Sequence, residues 1–248
     1  MEITRTLKIT LEYDGTDFAG WQVQPGIRTV QKEIEDALER IVGHRIRVVA
    51  AGRTDAGVHA GGQVVSCTTS SAIEPGRLMR ALNGVLPHDV SIIDVSEKPE
   101  GFNARFAAVS RTYRYTMTTR RISVGRKYAW HVKYSMDGEL LERSILALRG
   151  MCNLRGFSKG SDEEDYSTVI LKNSWTFRDN FIIFEIDAVR FFHHAVRSIV
   201  GTAVDVARGK REPGLIEEIL ETRDRSLAGT TAPAIGLCLV RVEYGEER

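Results

Sequence analysis

Polar and apolar residues alternate strictly near the start of the chain. Leu7, Ile9, Leu11 and Tyr13 fall on one side, and Lys8, Thr10 and Glu12 on the other. A period of two is that of a half-buried strand. Across residues 29–42 the period lengthens, and Val30, Ile34, Leu38 and Ile41 make a helical stripe with Thr29 placed to cap it. Residues 46–51, 62–68 and 90–95 read as strands. Pro75 opens a second helix, whose buried side is Leu78, Leu82 and Val85. The first half thus runs β-α-β-β-α-β.

A looser version of the same order follows. Residues 111–118 alternate as a strand, and Asp137 caps a helix carrying Leu141, Ile145 and Leu148. Residues 168–177 and 181–189 form a predicted hairpin that turns at Arg178, Asp179 and Asn180. Phe192, Val196, Ile199, Val200 and Ala203 predict a helix over 190–207, with His193 and His194 upon it and Gly209 just beyond. A shorter helix follows Pro213, and a strand near 237–244 closes the chain. Two such halves, 1–100 and 101–248, predict an α+β protein with mainly antiparallel sheet and helices on one side. Residues 158–167, polar and aperiodic, are the expected mobile loop.

Composition narrows the class. A chain of 248 residues, 42% hydrophobic and 27% charged, is that of a soluble globular protein. Cys67, Cys152 and Cys238 are far apart and lack C-x-x-C spacing, which argues against a disulfide framework or structural zinc and fits a reducing cytoplasm. No apolar run approaches the roughly 20 residues that span a bilayer, and the N-terminus lacks the apolar region of a signal peptide.

The net charge of +1 conceals a local excess. Between Gly101 and Met136 there is no acid, while Arg105, Arg111, Arg114, Arg120, Arg121, Arg126, Lys127 and Lys133 fall there, interleaved with aromatics. Forked arginine donors bind phosphates, and aromatic faces stack on unpaired bases. The span as a whole reads as polyanion-binding, because eight like charges repel unless a partner neutralises them, although any one of these residues is better explained by a solvated face or a core position. Within it Tyr113, Tyr115 and Met117 share one strand face, and Arg114 lies on the other.

Candidate chemistry concentrates in "AAGRTDAGVHAGGQ", residues 50–63, where Arg53, Asp55 and His59 stand among glycines. So bare a backbone approaches a ligand closely and adopts positive φ. Asp55 is either a turn residue or, with Arg53 nearby to keep it ionised, an anionic nucleophile or base. His59 is better explained as a hydrogen-bonding residue. Arg197, inside an apolar helical stretch, is either exposed or a cleft arginine that needs a carboxylate such as Asp55. No phosphate loop, dinucleotide fingerprint, nucleophile elbow or metal-ligand spacing is present, so no cofactor and no metal are expected.

Seven stretches, "EYDGTDFAGWQVQ", "RTVQ", "AAGRTDAGVHA", "FNARFAA", "RTYRY", "FFHHAVRSIVGT" and "TAPAIGLCLVRVEY", resemble in order the motifs of the tRNA pseudouridine synthase A (TruA) family. Residues 150–160 carry the pattern only weakly. The resemblance implies two ferredoxin-like halves whose sheets join around a basic cleft, a homodimer, and a tRNA substrate. The implied reaction is the isomerisation of uridine to pseudouridine at positions 38, 39 and 40 of the anticodon stem-loop, in the cytoplasm and without a cofactor. Asp55 matches the catalytic aspartate, Tyr113 the tyrosine that packs on the target base, and Arg197 the arginine that pairs with the carboxylate. Arg53 falls on the arginine tied to binding and flipping the nucleotide, with Arg105 and Arg111 of the basic span as further substrate-binding residues.

Overall fold

Alternation in the first strand is paid back in burial: Leu7, Ile9 and Leu11 are wholly enclosed. Each such side chain contributes roughly 1.5–3 kcal/mol relative to exposure. The computed structural model describes residues 4–160 and 163–245. These fall into two compact units, one running through Val109 and resuming at Leu239, the other Ser110–Cys238.

The first unit runs β1 (Arg5–Tyr13), α1 (Val30–Val42), β2 (Val49–Ala50), β3 (His59–Thr69), α2 (Pro75–Val85) and β4 (Val90–Lys98). This is the expected β-α-β-β-α-β order. Strand β1 is central, antiparallel to β3 on one side and to β4 on the other, and β2 pairs with β3. Val30, Ile34 and Leu38 are the buried stripe of α1, and Leu78 and Leu82 that of α2. Glu74 caps α2 ahead of Pro75 by accepting from the amides of Gly76 and Arg77, both at 2.9 Å.

Two local expectations need correction. Thr29 stands at the N-cap of α1, but its hydroxyl makes no capping bond. The helix is capped instead by tertiary backbone: the Val30 and Gln31 amides donate to the carbonyls of Gly20 and Trp21 at 3.2 and 3.1 Å. Only Val49 and Ala50 of the expected 46–51 strand join a ladder. Ile46 and Val48 are buried as the pattern predicts, but the Val48 amide donates to the Glu35 side chain at 3.1 Å.

The second unit contains β5 (Ala108–Thr118, from Ser110 on), β6 (Trp130–His131), α3 (Gly138–Ser144), β7 (Gly150–Asn153), β8 (Ser167–Arg178), β9 (Phe181–Ala188), α4 (Ala195–Ala207) and α5 (Leu215–Thr222). Its antiparallel ladder runs β5-β9-β8-β7, with β6 parallel to β5. The β8–β9 hairpin turns at Asp179, whose φ of 51° is left-handed. Asp137 caps α3 as expected, although the helix ends at Ser144 and leaves Ile145 and Leu148 buried beyond it. The helix predicted over 190–207 begins only at Ala195, because His194 adopts a left-handed φ of 66°. His193 and His194 therefore precede the helix rather than ride on it. The last strand, β10 (Leu237–Tyr244), lies beside β3 through its residues from Leu239 on.

Of the expected loop 158–167, Ser161 and Asp162 lie outside the described residues. Ser158 and Tyr166 at its ends are buried. Among the described residues no helix is long and apolar enough to cross a membrane.

Burial on β3 pushes the Cys67 thiol up to about 12. The folded state holds this proton more tightly than the unfolded chain does. Cys67 therefore lends stability in full below its ordinary value of 9.0 and loses it as pH rises from there to about 12. Iodoacetamide at pH 8 is expected to leave Cys67 intact in the folded protein and to alkylate it in urea, read by peptide mass spectrometry. Rapid native alkylation would contradict the burial.

Candidate active site

The glycine-rich loop between β2 and β3 is not loose. Thr54, Val58 and His59 are buried while Asp55 is half-buried and Arg53 exposed. The loop is held by the segment that follows β1. Tyr13 Oη and Thr54 Oγ1 share a buried hydrogen bond of 2.8 Å, and the Trp21 amide donates to the Thr54 carbonyl at 3.0 Å. The Gly57 amide donates to the Phe18 carbonyl at 3.2 Å, and the Val58 amide closes a turn onto the Asp55 carbonyl at 3.2 Å. Behind the turn, the Gly15 amide donates to His59 Nδ1 at 3.1 Å, which makes His59 a brace for the loop.

Contact this close requires glycine. A Cβ on Gly15 would stand 2.0 Å from the Val58 carbonyl oxygen, and one on Gly20, at a φ of 97°, 2.9 Å from that of Thr54. Gly62 plays the same part at the foot of the loop, where a Cβ would meet the Val240 carbonyl of β10 at 2.6 Å. The sequence therefore fixes the backbone on both sides of Asp55 and leaves its carboxylate at a half-open position. The loop is bare of large side chains of its own, and the partners that enclose it are distant in sequence: Tyr13, Gly15, Phe18, Gly20 and Trp21.

Arg197, in the first turn of α4, is held just as firmly within the second unit. Its Nε donates to the Ala232 carbonyl at 2.8 Å, and its own carbonyl accepts from the Ala232 amide at 3.0 Å. The 229–232 segment lies close on α4 because Gly201 has no side chain; a Cβ there would fall 1.6 Å from the Thr230 carbonyl oxygen. The Gly229 amide adds a bond to Thr202 Oγ1 at 2.9 Å, and the Thr230 amide one to the buried Asp205 at 3.1 Å. Arg197 is thus half-buried and fixed in direction, between the two readings its sequence position left open.

Tyr113, Tyr115 and Met117 are all buried on one face of β5, as the alternation predicts. Tyr113 meets the Phe191 ring edge-on at 5.2 Å. Tyr115 donates to the Pro233 carbonyl at 2.7 Å, and burial raises its phenol above the ordinary range, with the Arg197 charge pulling the other way. Tyr115 is therefore a neutral brace for the 232–236 segment.

The basic span is less uniform than its composition implies. Arg114 is opposed across the ladder by Glu185 of β9 and pairs with it at 2.8 Å. Arg111 is buried and donates to the Val189 carbonyl at 2.7 Å. Arg105, Arg120, Arg121 and Arg126 are exposed. The neutralising acid lies some seventy residues downstream of Arg114, where a reading of the span alone does not reach. By unit, Arg53, Asp55 and Arg105 belong to the first, and Arg111, Tyr113 and Arg197 to the second.

Comparison with known proteins gives these residues a context. The family model for tRNA pseudouridine synthases, a class of isomerases, matches residues 9–107 and 145–245. The tRNA pseudouridine synthase A of Moorella thermoacetica is 44% identical over 243 residues, covering 96% of this chain and 99% of that one. That of Geobacillus sp. (strain WCH70) is 40% identical over 246 residues, covering 98% and 99%. A chain in a crystal structure of a Cbf5-Nop10-Gar1 complex superimposes with a TM-score of 0.37 at 9% identity, over 99% of this chain and 60% of that one, too distant a likeness to add to the fold described above. The protein belongs to the tRNA pseudouridine synthase family.

Replacing Gly15 by Ala is expected to destabilise the first unit by about 1–3 kcal/mol, the usual cost of overpacking. Urea unfolding would show this as a lower midpoint. An unshifted midpoint would mean that the loop yields and that Asp55 is not rigidly set.

Proposed function

We propose that the protein isomerises uridine to pseudouridine at positions 38, 39 and 40 of the tRNA anticodon stem-loop, with Asp55 as its catalytic carboxylate. What carries this reading is the setting of Asp55: a half-open acid on a turn pinned by backbone hydrogen bonds at Thr54, Gly57 and Val58, with Thr54 and Val58 buried, within a stretch that the family model matches. A surface turn residue would need no such bracing.

The reaction breaks the N1–C1′ bond, turns the base and forms a C5–C1′ bond. C5 loses a proton and N1 gains one, so atoms and electrons balance with no group added and no redox partner needed. The base must first leave its stack, which costs a few kcal/mol. Asp55 then acts as an ionised carboxylate, by attack on the ribose or the uracil ring or by proton abstraction toward a glycal; all of these routes need the same charge. We assign Arg197 the task of holding that carboxylate ionised and aimed. Its bonds to Ala232 support the assignment, since they fix the guanidinium before substrate arrives. Tyr113 is assigned to pack on the target base and Arg53 to bind and flip the nucleotide. Arg105 and Arg111 are assigned to the substrate as well; for Arg111, already engaged with Val189, this means support from within the strand.

The same reading includes two ferredoxin-like halves around a basic cleft, a homodimer and a cytoplasmic location. The sheet order β4-β1-β3 with β2 on β3, its strands connected through α1 and α2, supports the first half of that architecture.

Incubating the protein with unmodified tRNA and no added cofactor, then mapping pseudouridine along it, tests the reading directly. Pseudouridine is expected at 38, 39 and 40, and its absence there would overturn the proposal. Asp55→Asn is expected to abolish turnover while tRNA affinity stays within about twofold, because the amide keeps the shape without the charge. Arg197→Met is expected to lower turnover more than affinity. A fully active Asp55→Asn enzyme would remove the aspartate from the mechanism.

A further inference from the structure

The end of α4 builds a second polar site, wholly within the second unit. Asp205 is 3% exposed, yet two cations converge on it. Arg208 Nη2 lies 2.8 Å from Oδ1, and Lys210 Nζ 3.4 Å from Oδ2. The Thr230 amide takes a further share of Oδ2 at 3.1 Å. One carboxylate thus faces two positive charges, and a net positive charge is left at the surface. The turn that arranges this is fixed: Gly209 adopts a φ of 72°, and the Lys210 and Arg211 amides fold back onto the Asp205 carbonyl at 2.9 and 3.1 Å.

Above these cations lies a pocket of about 430 Å³ lined by Tyr134, Ser135, Arg208, Gly209 and Lys210. The Arg208 guanidinium stacks over the Tyr134 ring at 4.3 Å, and its Nε is buried without a hydrogen-bond partner. The stacking and the Asp205 contact set the plane of the guanidinium against the ring. The Lys210 side chain keeps 49% of its surface exposed, and Tyr134 54% of its own. A Cβ at Gly209 would meet no atom within 4 Å, so a ligand has open access to the turn. The pocket therefore offers a planar cation stacked on a ring, a half-exposed ammonium, a hydroxyl and an exposed aromatic face. This set matches a phosphodiester with its attached sugar: charge for the phosphate oxygens, the ring for the apolar edge.

We infer that this pocket binds a phosphodiester of the tRNA backbone, with Lys210 and Arg208 on the phosphate and Tyr134 against the adjoining nucleoside. The inference rests on the tRNA reading above. Its origin is structural economy of charge: a buried acid needs one partner to be compensated, and the chain supplies two.

The test compares tRNA affinity across salt concentrations for the full-length protein and for Lys210→Ala, Lys210→Arg and Ser135→Asp. Lys210→Ala leaves Asp205 with Arg208 and Thr230, so the fold is retained, which thermal melting checks. It is expected to weaken tRNA binding about three- to tenfold and to flatten the log–log salt slope by about one. Lys210→Arg is expected to restore both, and Ser135→Asp to weaken binding by repulsion. If the parent protein forms pseudouridine while all three variants match it in affinity and slope, the pocket assignment fails and the tRNA reading stands. If the parent neither binds nor modifies tRNA, both fall together. In a calorimetric titration with inorganic phosphate, saturable binding lost in Lys210→Ala, with tRNA affinity unchanged, would mark a site for a small free anion and overturn the backbone assignment.

Discussion

Around Asp55 and Arg197, main chain touches main chain with no Cβ between. Gly15 meets Val58, Gly20 meets Thr54, and in the other unit Gly201 meets Thr230. In each case the glycine lets a carbonyl approach to a distance that no other residue allows. Glycine costs roughly 0.5–1 kcal/mol relative to alanine inside a helix, and Gly201 sits within α4. That cost is offset by the bonds the approach makes possible, among them both links between Arg197 and Ala232. The consequence is preorganisation. The Asp55 and Arg197 side chains are carried by backbone that close packing holds in place, as the proposed roles require.

Polar groups buried around these contacts are satisfied in ways that couple distant segments. The first amides of α1 find carbonyls at Gly20 and Trp21, so the start of the helix is tied to the segment that also braces the Asp55 turn. Arg28 adds a further tie. It is clamped by Asp89 at 2.7 Å and by Glu33 at 2.9 Å, and it lies over the Phe18 ring at 4.1 Å. The Phe18 carbonyl in turn receives the Gly57 amide. A chain of fixed groups therefore runs from β4's entry to the loop that bears the carboxylate. Charge, too, is handled locally: Glu185 answers Arg114 across the ladder, whereas Arg208 and Lys210 share one acid.

Alternation at 7–13, the stripe of α1, Pro75 as a helix start and Asp137 as a cap are all local features, each set by neighbours within a turn or two of chain. They were legible for that reason, as were the buried face of Tyr113, Tyr115 and Met117 and the identity of Asp55 within its motif. The motif also carried the family, because the order and spacing of its residues are a property of the chain and need no folding to be seen.

The rest required the folded molecule, since it depends on residues that meet only through tertiary packing. Periodicity predicted helix from residue 190, but rings packed around Phe191 and Phe192 and a left-handed His194 hold the start back to Ala195. Nothing near Asp55 in sequence announces that Tyr13, Gly15 and Gly20 enclose its loop. Nor does anything near Arg197 point to Ala232. Sequence determined the family and marked the residues proposed for the chemistry, through local pattern and motif. Tertiary structure alone decided how firmly each is held and which way it points, because the carbonyls and amides that fix them arrive from tens of residues away.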